Sequence, residues 1–249
     1  MITIRQLNYS IGRKKILNDV NLRIEQGDTV SIMGVSGSGK TTLLKIMAGL
    51  KRPTSGQIFM GNTDISKMSE DDLNRVRHRM GVVFQYGALF DSLSVYDNVS
   101  FALTRQTHLS RAEIDDIVKE KLRLVGLPET ESLMPSELSG GMQKRVSLAR
   151  AIAMSPEILF YDEPTSGLDP VMTTVIDELI TGMRDSLGVT SVVVSHDLKS
   201  IFRISNKIAM LHEGSIISYG TPEETRNSTD ERVRQFIEGR AEGPILPMM

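Results

Sequence analysis

The sequence predicts an α/β protein built on a parallel sheet, with a mostly helical subdomain inserted into it. Three apolar runs, Thr29–Met33, 158–161 and Thr190–Val194, have the length of buried strands, and glycine or polar residues follow each of them. Helical spacing follows the first run over 40–50, and helical patterns dominate 88–153. Ligand residues of a parallel sheet collect at the carboxyl ends of its strands, so we expect functional side chains there.

The first sixty residues are rich in strands. Apolar and polar residues alternate over 2–9 and 20–24, and a tight turn over 25–28 leads into the next strand. Strand character returns over 56–60, and 80–84 reads as a further short buried strand.

Helices and a closing hairpin account for most of the remainder. The predicted helices are 111–125, 143–154, 172–187 and a piece near Glu231–Glu238. Lys207–His212 and 215–218 flank Gly214 and predict a hairpin.

Composition excludes several classes of protein. The chain has 249 residues, 40% of them hydrophobic, a net charge of −2 and no cysteine. Disulfides and thiolate metal sites are therefore impossible, and the balance of charge gives no reason to expect general affinity for nucleic acid. No run of about 18 apolar residues and no signal peptide is found, so we expect a cytoplasmic protein.

The string Gly-Val-Ser-Gly-Ser-Gly-Lys-Thr at 34–41 predicts a phosphate-binding loop between a strand and a helix. Its glycines let backbone N–H groups turn inward, and the helix that follows presents its positive end to the same point. Lys40 can reach the β- and γ-phosphates, and Thr41 offers a hydroxyl to Mg²⁺. The alternative is a glycine-rich loop with an accidental lysine. The expected nucleotide-binding residues are Gly34, Ser36, Gly37, Ser38, Gly39, Lys40, Thr41 and Thr42.

Two carboxylates, Asp162 and Glu163, follow the apolar run 158–161. Asp162 is expected to hold Mg²⁺ through water, because Mg²⁺ keeps most of its hydration. Glu163 is expected to polarise an attacking water. The alternative is a pair of solvated acids at the start of a loop.

A second anion-binding turn, Ser139-Gly140-Gly141, precedes a predicted helix. Ser139 can cap that helix, and the bare glycines let a phosphate approach its amides. The alternative is an ordinary helix cap. The loop at 34–41 is sufficient to bind the phosphates of one nucleotide. A second turn that could bind phosphate must therefore have a separate function.

The string Leu-Ser-Gly-Gly at 138–141 is similar to the signature of ATP-binding-cassette (ABC) proteins. The resemblance implies an ABC-type P-loop NTPase core with a RecA-like sheet, an N-terminal antiparallel β-subdomain and an inserted α-helical subdomain. It implies one ABC ATPase domain over 1–240, with the helical subdomain at about 88–153 and a tail over 241–249. It also implies ATP and Mg²⁺ as cofactors, and a head-to-tail pair of subunits in which each ATP lies between the loop of one copy and the signature turn of the other.

Four further residues match positions of the ABC family. The resemblance implies that Gln85 senses Mg²⁺ and links to the helical subdomain, that Asp169 lies in the loop reaching across the dimer, and that His196 contacts the γ-phosphate. It implies that Tyr9 stacks on adenine. Each of three residues also has an ordinary structural interpretation. Gln85 could be a surface amide, His196 an imidazole at the end of a strand, and Tyr9 a packed aromatic ring.

Five further segments are characteristic: Phe-Gln-Tyr-Gly-Ala-Leu-Phe at 84–90, Val-Tyr-Asp-Asn-Val at 95–99, Leu-Met-Pro-Ser-Glu-Leu-Ser-Gly-Gly-Met at 133–142, Arg-Val-Arg-Gln-Phe at 232–236 and Gly243-Pro244. Through them the chain resembles, over nearly its whole length, a narrower group, the ATPase subunits of Mla-type, MCE-linked phospholipid transporters.

That resemblance implies phospholipid transport that maintains outer-membrane lipid asymmetry, an integral membrane permease, an MCE-type lipid-binding subunit and a small STAS-type regulatory subunit. It implies a peripheral location on the cytoplasmic face of the inner membrane. From the balance of charge we expect no nucleic acid among the partners.

Two segments have open interpretations. The apolar run 87–90 is either a groove for a short helix of a membrane partner or a loop packed inside the protein. The segment 231–244 either binds a neighbouring subunit or ends in a frayed terminus.

Other functions compete with the transporter. A soluble ABC ATPase acting on DNA or ribosomes usually carries coiled-coil insertions or two cassettes, and this chain has neither. A regulatory cassette without turnover is disfavoured by Glu163 and His196. A small-molecule phosphotransferase leaves 138–143 without a role, and an ABC ATPase for another substrate remains open.

Replacing Lys40 by alanine removes the cation expected to hold the β- and γ-phosphates. We expect weaker nucleotide binding in a titration with ATP, because the loop amides then act without the ammonium. An unchanged affinity would count against the phosphate cradle.

Overall fold

A computed structural model describes residues 1–85 and 87–246. Tyr86, within the motif at 84–90, and residues 247–249 of the tail lie outside the described residues. The strands are β1 (Ile2–Ile11), β2 (Lys14–Ile24), β3 (Thr29–Met33), β4 (Ser55–Met60), β5 (Thr63–Asp64), β6 (Met80–Val83), β7 (Ile158–Asp162), β8 (Thr190–Val194), β9 (Lys207–His212) and β10 (Ser215–Gly220).

The helices complete the architecture. They are α1 (Lys40–Met47), α2 (Glu70–Arg77), α3 (Val95–Gln106), α4 (Arg111–Leu124), α5 (Gly140–Ile152), α6 (Pro170–Leu187), α7 (Leu198–Ile204), α8 (Pro222–Arg226) and α9 (Glu231–Glu238), with a 3₁₀ turn at Pro135–Glu137. Among the helices in 1–85 and 87–246, none is both long and apolar enough to cross a bilayer.

Two sheets form the framework. The N-terminal sheet is antiparallel, in the order β2-β1-β4-β5, and the central sheet has the order β10-β9-β3-β8-β7-β6. Every pairing from β9 to β6 is parallel, and β10 joins β9 as an antiparallel edge. The predicted α/β class with an antiparallel β-subdomain and a helical subdomain is confirmed.

The register of the central sheet brings its strand ends together. Asp162 at the end of β7 pairs with Val194 at the end of β8, and Val194 pairs with Ile32 of β3. Residues that follow β3, β7 and β8 therefore leave the sheet at the same edge.

Two apolar clusters lie on opposite faces of this sheet. Phe160 of β7 packs in one with α1 and the N-terminal sheet, while its neighbour Tyr161 packs in the other with α3, α4 and α5. Both side chains are fully buried. A strand that is buried on both faces has no polar alternation, which is why 158–161 reads as a continuous apolar run.

Serine caps fix the starts of the helical subdomain. Ser94, Ser110 and Ser139 each accept a hydrogen bond from a backbone N–H of the first turn of α3, α4 and α5. Because of the cap at Ser139, α5 begins at Gly140, earlier than the Gln143 expected from apolar spacing.

Several helices were not predicted from the sequence. Helices α2, α7 and α8 are short, and α3 lies in the helical stretch without a separate prediction. Helix α1 ends at Met47 rather than near Leu50, since Gly49 takes a left-handed conformation with φ 68°.

Replacing Gly81 of β6 by alanine should lower the free energy of unfolding by about 1–3 kcal/mol. A Cβ atom there would lie 2.3 Å from the Ala151 carbonyl oxygen and 2.6 Å from Leu159 Cδ2, so α5 and the sheet would have to separate. Urea denaturation of the full-length chain measures the change.

The matched control is Gly182→Ala in α6. An added Cβ there meets nothing within 4 Å, and the site is exposed. Alanine should leave stability unchanged or raise it by up to about 1 kcal/mol. Equal effects of the two substitutions would contradict the close approach of α5 to β6.

Candidate active site

Residues 34–39 connect β3 to α1 in a tight loop. Gly34, Gly37 and Gly39 have φ values of 148°, 76° and 106°. A Cβ at Gly34 would lie 2.1 Å from the Leu211 carbonyl oxygen, so only glycine fits. Ser38 is buried, and its Oγ has no hydrogen-bond partner among the described residues, whereas Ser36 is exposed.

Lys40 folds back over this loop. Its Nζ donates to the carbonyl oxygens of Gly34 at 2.8 Å and Val35 at 2.9 Å. Burial lowers the pKa of the Lys40 ammonium, while the charges of Glu163 and Asp162 act in the opposite direction. The lysine therefore lies within electrostatic reach of both acids.

Thr41 joins α1 to the end of β7. Its Oγ1 donates to Asp162 Oδ1 at 2.8 Å, and Asp162 is buried. Hydroxyl and carboxylate oxygens are hard donors of the kind that Mg²⁺ prefers, so this pair fits a Mg²⁺ ion shared with phosphate oxygens. Thr42, the next residue of α1, is half-buried.

Glu163 occupies a strained position directly after β7. It has φ 52°, and its N–H donates to the Val194 carbonyl at 2.8 Å. Its Oε2 lies 2.8 Å from His196 Nδ1, with the glutamate side chain 13% exposed and the histidine 68% exposed. An ionised carboxylate only accepts, so Nδ1 donates and Nε2 remains for another partner.

Gln85 follows β6 and faces the segment after Glu163. Its Nε2 donates to Ser166 Oγ at 3.4 Å, and the Ser166 N–H donates to the Glu163 carbonyl at 3.2 Å. The structure thus brings Gln85, Asp162, Glu163 and His196 to the same sheet edge as the phosphate loop. Their roles stay predictions.

The signature turn, Ser139-Gly140-Gly141, lies apart from the phosphate loop. Ser139 Oγ accepts from the Met142 N–H at 3.3 Å, and Ser139 and Gly140 are exposed. Within 1–85 and 87–246, no hydrogen bond joins this turn to 34–41. The two turns predicted to bind anions are therefore not joined by a hydrogen bond within the described part of one chain.

Asp169 and Tyr9 have structural partners in their own chain. Asp169 Oδ1 caps α6 by accepting from the N–H groups of Val171 and Met172 at 2.9 and 3.0 Å. Tyr9 is half-buried, with Lys51 Nζ 5.5 Å from its ring centroid. The stacking of Tyr9 on adenine stays a prediction, as does the contact of Asp169 with a second copy.

The C-terminal segment folds against its own domain. Gln235 holds Ile245 by two hydrogen bonds, from the Ile245 N–H to Oε1 at 2.7 Å and from Nε2 to the Ile245 carbonyl at 3.0 Å. A cavity of about 750 Å³ lies between 35–38 and this segment. The described part of the tail is thus ordered by packing near the phosphate loop.

Sequence reasoning missed Lys144 of α5. Its side chain is buried, and its Nζ donates to the Gln85 carbonyl. The sequence feature that could have indicated it is its position, five residues after Ser139 on the helix that begins at the signature turn.

Comparison with known proteins defines the class. A family model described as ABC transporter matches residues 17–166, more than half of the chain. The chain therefore belongs to the ABC transporter family and is an ATP-hydrolysing cassette of it.

Particular relatives cover nearly the whole chain. The intermembrane phospholipid transport system ATP-binding protein MlaF of Haemophilus influenzae is 42% identical over 245 residues, 98% of this chain and 93% of that protein. The probable ribonucleotide transport ATP-binding protein mkl of Mycobacterium leprae is 41% identical over 244 residues, 98% of this chain and 70% of that protein.

A solved cassette shares the fold. The dimeric structure of a post-hydrolysis state of the ATP-binding cassette MJ0796, bound to ADP and Pi, superposes with a TM-score of 0.82 at 33% identity. The match covers 89% of this chain and 99% of that one.

Replacing Glu163 by glutamine should leave ATP binding intact and lower kcat by about 10²- to 10⁴-fold. The amide keeps the size of the side chain, but it cannot take a proton from water. Phosphate release and nucleotide titration of the full-length chain measure the two effects.

The control is Glu157→Gln, just before β7 at the opposite end of the strand, where Glu157 pairs with Arg79 on the surface. We expect its kcat to stay within about twofold of the parent. Turnover at the parental rate in the Glu163 variant would refute the assigned role.

Proposed function

We propose that this chain is the ATPase subunit of an ABC transporter that moves phospholipid and maintains outer-membrane lipid asymmetry. The observation that carries the proposal is the 42% identity to MlaF over 98% of the chain. The phosphate loop, acid pair and signature turn supply the machinery of the cassette. The transported molecule is inferred from the name of this relative.

The active unit is a head-to-tail pair of copies. The exposed residues of the phosphate loop, Ser36 and Gly37, and the exposed signature turn point outward from one chain without meeting. A second copy turned end to end would bring its Ser139 hydroxyl and α5 amides to the γ-phosphate held at 34–41. Asp169 would lie along the same boundary.

Each residue of the site has a role in ATP hydrolysis. Lys40 and the loop amides bind the β- and γ-phosphates, Glu163 takes a proton from the attacking water, and His196 Nε2 contacts the γ-phosphate. Thr41, Asp162 and Gln85 would hold Mg²⁺, which neutralises phosphate charge when bound. Tyr9 stacks on adenine.

A membrane permease binds the groove beside the helical subdomain. This groove has a volume of about 650 Å³. Its lining combines apolar side chains, among them Phe84, Ala88, Phe90, Phe101, Ala102 and Met154, with the polar or charged side chains of Asn74, Arg77, His78, Gln106 and Arg150. The rings of Phe90 and Phe101 lie 4.6 Å apart, and Phe90 is 43% exposed. A partly open groove that presents exposed aromatic side chains beside basic ones suits a short helix of the permease.

The proposal extends to the remaining partners and is supported by the similarity to MlaF. In it, an MCE-type lipid-binding subunit and a small STAS-type regulatory subunit complete the assembly, and the cassette lies on the cytoplasmic face of the inner membrane. Nucleic acid is not among the partners.

A second candidate substrate has one observation in its favour. The mkl relative is 41% identical, close to the value for MlaF, and its name gives ribonucleotide transport. Purification of the complex in detergent and mass spectrometry of its bound small molecules separates the two. Phospholipid in stoichiometric amount supports the first candidate, and ribonucleotide without lipid supports the second.

Replacing Phe90 by alanine should sharply reduce co-purification of an integral membrane protein, because the exposed ring that packs against Phe101 is then lost from the groove. Leu187→Ala is the matched control, since Leu187 is 41% exposed at the end of α6, outside the groove. Co-purification through a tag on the full-length chain measures both. Retention of the same membrane protein by the Phe90 variant would contradict the groove assignment.

A further inference from the structure

One face of α5 holds the loop that follows β6. Lys144, Ser147 and Arg150 are spaced three residues apart, so they lie along one side of the helix. Lys144 Nζ donates to the Gln85 carbonyl, and Ser147 Oγ donates to the Gly87 carbonyl at 2.8 Å. We call these three side chains the α5 clamp.

Arg150 completes the row. Its Nη2 donates to the Gly87 carbonyl at 2.9 Å, and its Nη1 donates to the Ala88 carbonyl at 2.8 Å. Four hydrogen bonds therefore run from three side chains of one helix to three carbonyls of one short loop.

The held loop has an unusual backbone. Gly87 has φ 72°, and Ala88 has φ 49°, a left-handed conformation that alanine rarely adopts. Such a conformation persists only when its surroundings hold it. The clamp supplies that support, because its donors bind the carbonyls of both residues.

The clamp also connects to the candidate site. Lys144 and Ser147 are buried, and Lys144 holds Gln85, whose Nε2 donates to Ser166 Oγ in the segment after Glu163. The same helix begins at the signature turn, and the far end of the clamped loop leads to Phe90 in the groove.

We propose that the α5 clamp positions Gln85 in the site. Lys144, Ser147 and Arg150 are positioning residues, since they act through Gln85 rather than on the nucleotide. The inference rests on the role of Gln85 proposed above.

The test uses Lys144→Met and Ser147→Ala in the full-length chain. We expect kcat at saturating ATP to fall about tenfold in each, with nucleotide affinity within about twofold of the parent, because the loss concerns placement of Gln85 and not binding. Lys144→Arg should restore most of the rate, since its guanidinium can donate to the same carbonyl. A parental kcat in both variants, or a fall in affinity equal to the fall in kcat, would overturn the clamp.

Arg145→Gln is the control for general damage to α5. Arg145 donates from Nη1 to the carbonyls of Gly126 at 3.0 Å and Val125 at 3.4 Å, away from the loop after β6. We expect parental kcat for this variant. A tenfold loss here as well would show that any weakening of α5 slows turnover, and the clamp would lose its special role.

A double-mutant cycle separates this inference from the function proposed for Gln85. Gln85→Leu should itself lower kcat, and adding Lys144→Met should then cost little more, because the side chain being positioned is gone. A parental rate in Gln85→Leu would overturn the proposed role of Gln85. If Gln85→Leu is slow and the effects of Gln85→Leu and Lys144→Met on kcat are fully additive, the role of Gln85 is retained and only the clamp is overturned.

Discussion

The hydrogen bond from Thr41 Oγ1 to Asp162 Oδ1, 2.8 Å long, ties the phosphate loop to the acid pair. It forms between residues 121 positions apart because β8 lies between β3 and β7 in a parallel sheet. Parallel pairing sends the residues after each strand to the same edge. Without that register the loop, the carboxylates and His196 would each be an isolated feature.

Local backbone conformation then aims the side chains. Glu163 turns into a left-handed conformation as its N–H binds the Val194 carbonyl, and its carboxylate meets His196. Gly34 allows the chain to pass the Leu211 carbonyl at a distance that excludes any side chain. These features keep a buried lysine and two acids close to one another, which is the electrostatic arrangement that a triphosphate with its metal ion suits.

The helical subdomain contacts this site through helix α5. Helix α5 begins at the signature turn, packs against β6 where Gly81 leaves no room for a Cβ atom, and holds the loop after β6. The exposed turn and the exposed part of the phosphate loop belong to one chain but do not meet in it. Under the proposed function, this separation calls for a second copy and gives a membrane partner a way to act on the site.

The class of activity was predictable from the sequence, because the phosphate loop, the acid pair and the signature turn are contiguous strings, and the family match confirms an ATP-hydrolysing cassette. The sequence also determined the strands that are buried on both faces, such as β3 and β8, because their apolar runs match the observed bounds. Tertiary structure decided everything that depends on distant residues meeting. Three features show this: the order of the strands in the sheet, the contact of Lys144 with Gln85, and the contact of Ile245 with Gln235. Each arises from packing between different segments of the chain, and no local sequence pattern encodes it. Short elements such as α7 and α8 were also decided there, since helices of five to seven residues gain their stability from tertiary contacts rather than from intrinsic propensity.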